Sequence, residues 1–328
     1  MSRSSKIYVA GHRGLAGSAI VRKLQASGYQ NLLLRTHSEL DLTDRTAVEG
    51  FFAEHRPNFV FLAAAKVGGI FANDRYPVDF IVQNLAIQNH VIEASWRQQV
   101  QRLLFLGSSC IYPRMAPQPM REEYLLTGPL EATNRSYAVA KIAGIEMCRA
   151  FNRQHKTGFI AAMPTNLYGP SDNYDSANSH VLPALIRKVH EAKLRGDKKI
   201  VMWGSGEPLR EFLYSDDMAA GCLHLLNLDE ETFEKIVRDP VNPPVINVGS
   251  SSEITIRNLL LVICKVLGYE GEIEHDLSKP DGTPRKLMDH SRLEALGWKP
   301  SMNLEEGIKV AYADFLARYD EILSRDAH

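Results

Sequence analysis

The chain has 328 residues, of which 45% are hydrophobic and 23% charged, with a net charge of −1. This is the composition of an ordinary globular protein with room for one large domain or two unequal ones. The balance gives no electrostatic drive toward nucleic acid or an anionic membrane. The four cysteines (Cys110, Cys148, Cys222, Cys264) lack CxxC spacing. That argues against structural zinc and a disulfide framework, and for a reducing compartment. The longest apolar run, Phe59 to Ala65, stops at Lys66, well below the about 20 residues of a membrane span. Met1 to Lys6 leads straight into a strand without a signal-peptide pattern. A soluble cytoplasmic protein is expected.

Ile7–Ala10 predicts a first strand that meets Gly11, and Leu15–Ser27 a helix ended near Gly28. Asn31–Arg35 and Phe59–Ala65 read as strands, with a helix over Asp44–His55 between them. Asp79–Trp96 is a long helix, Arg102–Leu106 a strand, Ser136–His155 a second long helix and Phe159–Met163 a further strand. Fully apolar strands alternating with helices imply a parallel sheet covered on both faces, an α/β fold of the Rossmann-type, doubly wound kind. After about residue 170 the elements shorten and Pro, Gly and Asn become dense. A helix over Val181–Arg195 is followed by short elements around Trp203, Asp216–Leu228, Ile246–Val248 and Ile256–Leu267. The expected organisation is a dinucleotide-binding domain over 1–170 and a smaller C-terminal α/β substrate domain over 171–328. A return segment near 212–250 brings Ile246-Asn-Val-Gly249 back to the main sheet.

Gly11-His-Arg-Gly14-Leu-Ala-Gly17 lies between the first strand and the first helix. Glycines there admit positive φ and close approach of a pyrophosphate, and the helix start offers free N–H groups. A tight βα turn alone does not need three glycines at this spacing. An NAD site usually carries an acid at the end of the second strand, but this chain has Leu34-Arg35-Thr36-His37. Arg13, Arg35 and His37 are positioned by sequence to face a 2′-phosphate, so NADP(H) is the expected cofactor. Glu39, two residues on, keeps NAD in consideration. Asp41 and Leu42 are candidates for the adenine.

Ser108, Cys110, Tyr137 and Lys141 carry the chemistry. Tyr137 and Lys141 stand one helical turn apart on one face. A phenol donates a proton to a ketone oxygen as it gains charge, and an ammonium eases that loss. Lowering a Tyr pKa from about 10 to roughly 7 takes about 4 kcal/mol. Cys110 adds possible acid/base work at carbon; its plain alternative is a small buried hydrophobe. Pro164-Thr-Asn166-Leu167 follows the fifth strand, where it meets nicotinamide or sugar, or merely ends the strand.

The glycine loop, Asp41-Leu42, Ser108 and Tyr137-xxx-Lys141 together resemble the extended short-chain dehydrogenase/reductase superfamily. More specific segments run the length of the chain: Leu106-Gly-Ser-Ser-Cys-Ile-Tyr-Pro113, Asn178-Ser-His180, Trp203-Gly-Ser-Gly206, Arg210-Glu-Phe212 and Lys279-Pro-Asp-Gly-Thr-Pro-Arg-Lys286. These are similar to the GDP-4-keto-6-deoxy-mannose 3,5-epimerase-4-reductases. The resemblance implies inversion at C3 and C5 followed by NADPH reduction of the 4-ketone to GDP-L-fucose. It implies Cys110 as base and His180 as acid of epimerisation, Tyr137 as proton donor to O4, Ser108 as its hydrogen-bonding partner and Lys141 on the nicotinamide ribose. It also implies cofactor contacts from the loop residues Gly11, His12, Arg13, Gly14, Leu15, Ala16 and Gly17. Further contacts are implied from Ala63, Ala65, Leu106 and Gly107, and from Pro164, Asn166, Leu167 and His180.

Lys188, Trp203, Arg210 and Asp281 are the implied nucleotide-sugar contacts. Alternatives stay open: an ion pair of Arg210 with Glu211 or Asp216, Trp203 as ordinary core, Asp281 as a cap over the site, and His180 as a helix-start residue capped by Asn178 or Ser179. Two positions depart from the pattern. His37 stands where relatives carry Arg, and Lys188 follows Arg187 where an Arg–Arg pair occurs, so a fork becomes a point charge. The superfamily's long helices, here beginning near Asp79 and Ser136, imply a homodimer through a four-helix bundle. A redox-neutral nucleotide-sugar 4-epimerase or dehydratase with tightly bound NAD is the competing activity; a dehydratase wants acids near the serine, where this chain has Ser109, Cys110 and Ile111. A non-catalytic dinucleotide sensor needs no proton donor.

Overall fold

In the computed structural model, which describes residues 1–175, 179–279 and 281–326, strand and helix alternate through the first half of the chain. The elements are β1 (Ile7–Ala10), α1 (Leu15–Ala26), β2 (Leu32–Leu33), α2 (Arg45–His55), β3 (Phe59–Leu62), α3 (Ile70–Arg75), α4 (Pro77–Arg97), β4 (Arg102–Leu106), α5 (Arg135–His155) and β5 (Phe159–Pro164). Then follow β6 (Asn166–Tyr168), α6 (Val181–Arg195), β7 (Lys199–Trp203), β8 (Leu209–Tyr214), α7 (Ser215–Asn227), α8 (Glu230–Val237) and β9 (Val245–Val248). The rest comprises β10 (Glu253–Thr255), α9 (Ile256–Leu267), β11 (Glu272–Asp276), β12 (Arg285–Lys286), α10 (Ser291–Ala295), α11 (Leu304–Ala317) and α12 (Tyr319–Asp326).

The central sheet has the order β2-β1-β3-β4-β5-β9, parallel throughout. Its strands are apolar along their length because both faces are covered. Tyr8, Val60, Leu62, Leu103 and Phe105 point into one core; Ile7, Val9, Phe59, Phe61 and Leu104 point into the other. Strand order reverses between β1 and β3. At such a switch point the connections leave in opposite directions and open a crevice beyond the carboxyl ends of the strands. The glycine loop after β1 lies at that crevice.

β2 is shorter than expected. Beyond Leu33 the chain folds into a turn: Leu40 N–H bonds Thr36 O at 2.9 Å, and the Glu39 carboxylate accepts from Thr36 N at 2.7 Å. Leu40 and Leu42 are still buried in the core past that turn. β3 stops at Leu62, and Ala63 and Ala64 pass directly against Gly11.

The expected return strand is present: β9 pairs with β5, in register from Ala161↔Val245 to Pro164↔Val248. α7 packs on α1, where Asp216 forms an ion pair with Arg22. The remaining strands make a small mixed sheet, β10-β8-β12 with β6 also on β8, and a β7–β11 pair. A third core of α6, α9 and α11 side chains, including Leu185, Ile263 and Phe315, covers them. Among the described residues no helix is long and apolar enough to cross a membrane.

Glu211 joins these parts. Its side chain has 0% exposure, and its carboxylate accepts from Ser250 N at 2.5 Å, Ser251 N at 3.1 Å and Met288 N at 3.1 Å. Its main-chain carbonyl accepts from Asn166 Nδ2 at 2.8 Å. β6, β8, the exit of β9 and the segment after β12 therefore meet at one residue. Glu211→Ala leaves three N–H groups without their acceptor, at about 1–3 kcal/mol for each that stays buried and dry. Urea unfolding is expected to show a loss of at least about 3 kcal/mol, and about half that for Glu211→Gln. A loss below 1 kcal/mol in the Ala variant sinks this account.

Candidate active site

The glycine loop is shaped by contacts that exclude side chains. Gly11 has φ +79, and a Cβ there would lie 2.8 Å from Ala64 Cα; a Cβ on Gly17 would lie 2.1 Å from Gly11 O. Gly14 is free of such crowding, its nearest contact being Gly11 O at 3.6 Å, which leaves open space in front of the helix. Gly14 also caps α1 without a side-chain hydrogen bond. By contrast, α2, α9 and α11 start under Asp44, Thr255 and Asn303 side chains that accept from their first turns. The first-turn N–H groups of α1, from Leu15, Ala16 and Gly17, are thus left for an anion. His12 adds a second sign: its ring bonds the backbone at Arg35, while its Nδ1 is buried with no partner.

Beside the loop lies an open pocket of about 480 Å³ lined by Gly11, His12, Arg13, Gly14, Arg35, Thr36, His37 and Ser38. The Arg35 guanidinium lies 5.5 Å from the Phe51 ring centroid and contacts His55 Nε2 at 3.1 Å. Glu39, the one acid near an NAD-type position, spends its carboxylate on Thr36 N and Oγ1. Two arginines, an exposed His37 and the Ser38 and Thr36 hydroxyls suit a 2′-phosphate; Thr36 and Ser38 escaped the sequence reading. Asp41 is occupied by Thr43, accepting from its N at 2.8 Å and its Oγ1 at 2.7 Å, with His37 Nδ1 at 3.8 Å. Leu42 is buried.

The catalytic candidates gather past the end of β4. Ser108 and the short helical turn Ser109–Ile111 follow Leu106 and Gly107; a Cβ on Gly107 would meet Met163 Cε at 1.8 Å. Tyr137 and Lys141 reach the same place from α5. The Lys141 ammonium is 5.7 Å from the Tyr137 ring centroid and 4.8 Å from that of Phe105, and donates to Leu106 O at 2.8 Å. Burial lowers its pKa to about 8, against the charge of Cys110. The Tyr137 ring stands edge-on to Phe80 at 6.1 Å.

The Tyr137 phenol is not lowered here. Burial pushes it up, the charge of Cys110 adds to that, and a hydrogen bond with Ser108 opposes both. The Cys110 thiol is also pushed up by burial, and is drawn back by Lys286, by a hydrogen bond with Ser108 and by Lys141. Ser108 therefore serves both groups.

The opposite wall comes from the second half of the chain. His180 is the residue before α6 and makes no cap bond; Asn178, one of the two suggested caps, lies outside the described residues. The imidazole sits deep among protein atoms yet open to the cleft, and its pKa is lowered by burial and then by Lys286. Arg210 bonds only its neighbour's carbonyl, Leu209 O at 2.7 Å, among the described residues. The anticipated ion pairs do not form: Glu211 is held by backbone N–H groups and Asp216 by Arg22.

Trp203 is no core residue. It is 67% exposed, with the ammonium groups of Lys188 and Lys279 each 5.6 Å from its centroid. Lys188 also caps Val201 O at 2.7 Å. Asp281 clamps the Gly204–Gly206 turn by accepting from Ser205 N at 2.9 Å and Ser205 Oγ at 2.7 Å, which fixes the position of Trp203. Asn166 spends its amide on Glu211 O, Pro164 ends β5 and Leu167 lies in β6. Ala63 and Ala65 flank the residue that abuts Gly11. Among the described residues no group of His, Cys, Asp and Glu is arranged to hold a metal ion.

Residues 7–249 match the profile of the NAD dependent epimerase/dehydratase family. The chain is 55% identical over 316 residues to a putative GDP-L-fucose synthase 2 of Arabidopsis thaliana, covering 96% of this chain and 93% of that protein. It is 51% identical over 315 residues to GDP-L-fucose synthase of Escherichia coli K12, covering 96% and 98%. Among solved structures it is similar to a GDP-L-fucose synthetase of Naegleria fowleri bound to NADP, with a TM-score of 0.85, 26% identity and coverage of 98% and 96%.

Charge-assisted contacts to a phosphate are worth about 1.5–3 kcal/mol each. Arg13→Ala and Arg35→Ala are each expected to weaken NADP(H) binding by about tenfold or more and NAD(H) binding by less than threefold, measured by titrating nucleotide fluorescence. Equal losses for the two cofactors would remove the arginines from the 2′-phosphate.

Proposed function

We propose, on the premise that the chain belongs to the NAD dependent epimerase/dehydratase family, that it converts GDP-4-dehydro-6-deoxy-D-mannose to GDP-L-fucose by 3,5-epimerisation and NADPH-dependent 4-keto reduction. One observation carries the reading: Ser108, Cys110, Tyr137 and Lys141 gather past the end of β4, where the charge of Cys110 acts on both the phenol and the ammonium and Ser108 favours the ionised form of thiol and phenol alike. Proton chemistry at carbon and reduction of the ketone thus address the same sugar.

The 4-ketone makes the hydrogens on C3 and C5 acidic. Cys110, as thiolate, takes each proton onto Sγ, and the electron pair moves to O4. His180, across the cleft, returns a proton to the opposite face, and before the second inversion the thiol gives a proton up to solvent and the imidazole takes one back. The start of α1 with Arg13 and Arg35 would hold NADPH, which when bound would supply the hydride that C4 receives. Tyr137 then gives its proton to O4, which Ser108 holds, and Lys141 keeps a positive charge beside the phenol and on the ribose. Burial favours the neutral phenol, so Tyr137 starts the step with its proton in place. Each positioned acid or base is worth about 10²–10⁴ in rate. Trp203 provides a face for the guanine, and Arg210 with Lys188 provides charge for the diphosphate.

The architecture supports residues 1–170 with the return segment near 212–250 as the cofactor domain, and 171–328 as mainly the substrate domain. Large apolar side chains remain exposed on α4 (Val78 at 67%, Val82 at 57%) and α5 (Val139 at 40%). These two helices pack on each other and support a homodimer in which they form a four-helix bundle with their copies. Four free cysteines, all buried, support a cytoplasmic, reducing location.

Cys110→Ser is expected to slow deuterium uptake at C3 and C5 by about 10²-fold or more, while reduction of an already epimerised ketone falls much less. Equal loss of both would dismiss Cys110 as the base. Tyr137→Phe is expected to lose NADPH oxidation by a similar factor and retain deuterium uptake, followed by NMR in D₂O. Undiminished NADPH turnover in that variant ends the proton-donor role.

A further inference from the structure

The mechanism above leaves one half-buried cation of the cleft without a task. Lys286 lies on the two-residue strand β12, in register with Arg210 of β8. Successive strand residues face opposite ways. Arg285 faces outward, where its Nε meets Glu253 Oε2 at 2.8 Å, so Lys286 faces into the cleft. The strand is fastened on both sides. Leu209 N bonds Pro284 O at 2.8 Å, Leu287 N bonds Gln118 Oε1 at 2.8 Å, Met120 N bonds Leu287 O at 2.8 Å and Met288 N bonds Glu211 Oε2 at 3.1 Å. Two of these ties go to the 118–120 segment of the same loop that carries Cys110.

The other cations nearby each donate to a carbonyl: Lys141, which also acts on the thiol, to Leu106 O, and Arg210, beside Lys286, to Leu209 O. Among the described residues no carboxylate or carbonyl accepts from the Lys286 ammonium. The charged and titratable groups around Cys110 are then Tyr137 and Lys141 from α5, Lys286 from β12 with Arg210 behind it, and His180 across the cleft. Of these, Lys286 acts most strongly in favour of the thiolate. A half-buried ammonium with no protein acceptor is favourably met by an anion.

We propose that Lys286 is a positioning residue for epimerisation, the counter-charge that keeps a thiolate available at Cys110. This rests on the epimerase reading of the site. It involves no new bond: the proton leaves carbon for Sγ as before, and Lys286 keeps its own protons throughout.

The test is the pH dependence of Cys110 alkylation by iodoacetamide, followed by peptide mass spectrometry, with Cys148, Cys222 and Cys264 as internal controls. Lys286→Met is expected to move the Cys110 midpoint up by about one pH unit or more, which is roughly a tenfold lower thiolate fraction below the midpoint. Lys286→Arg is expected to restore the midpoint, and Lys286→Gln to repeat the Met result should Met perturb folding. Deuterium uptake at C3 and C5 is expected to fall about tenfold at neutral pH, with the affinity for GDP changed less than threefold. An unchanged alkylation profile in both neutral variants overturns the proposal. So does a tenfold loss of GDP affinity with the profile unchanged, which moves Lys286 to the diphosphate. Alkylation needs no sugar substrate. A shifted midpoint in a protein whose wild type takes up no deuterium keeps the counter-charge and discards the epimerase reading.

Discussion

The site's positive charge depends on where one negative charge is spent. Glu211 sits between Arg210 and Phe212 on β8, and a carboxylate so placed would be the natural partner of the adjacent guanidinium. Strand alternation sends the two side chains to opposite faces. Glu211 goes inward and is neutralised by backbone dipoles from Ser250, Ser251 and Met288 rather than by a cation. Among the described residues, Arg210 and Lys286 are thereby left facing the cleft without a carboxylate partner. Asp216, the other nearby acid, is taken by Arg22 across the α1–α7 contact. The arrangement that binds the parts together is also the one that keeps the cleft cationic.

Desolvation moves every ionisable group of the catalytic cluster the same way, toward its uncharged form. Cys110 and Tyr137 are pushed up; Lys141, Lys286 and His180 are pulled down. At rest the thiol and the phenol therefore hold their protons firmly. The site works only if the charge that appears during reaction is met at once. Fixed donors and ammonium groups already in place meet it without reorganisation, which is the economical way to stabilise an enolate or alkoxide in a dry pocket.

Much of this was legible in the chain. Fully apolar strands, the three glycines and the Tyr137–Lys141 spacing depend on local rules, and the β9 return showed as an apolar run before Gly249. The tertiary contacts were less accessible. Nothing local says that Glu39 folds back on Thr36 and so shortens β2, or that Asn166 reaches Glu211 rather than a ligand. Lys286 stood at the end of a recognised segment, yet its importance appears only when β12 is laid beside β8 and Arg285 is seen to point away. Asp281 reads from sequence as a ligand contact. In space it is first a clamp on the turn that presents Trp203, because its partner Ser205 is distant along the chain.

The return of β9 to β5 has a consequence for biogenesis. Until the ribosome has delivered Val245–Val248, the ladder edge of β5 at Ala161–Pro164 has no neighbour, although every other strand of the parallel sheet has been made. An apolar, unpaired edge of this kind is a template for pairing with another chain. During synthesis the nascent protein therefore passes through a stretch of roughly eighty residues in which its nearly finished sheet is adhesive. A chaperone that binds extended apolar segments has its moment there, and a truncation just before Val245 should give an insoluble product rather than a smaller stable domain.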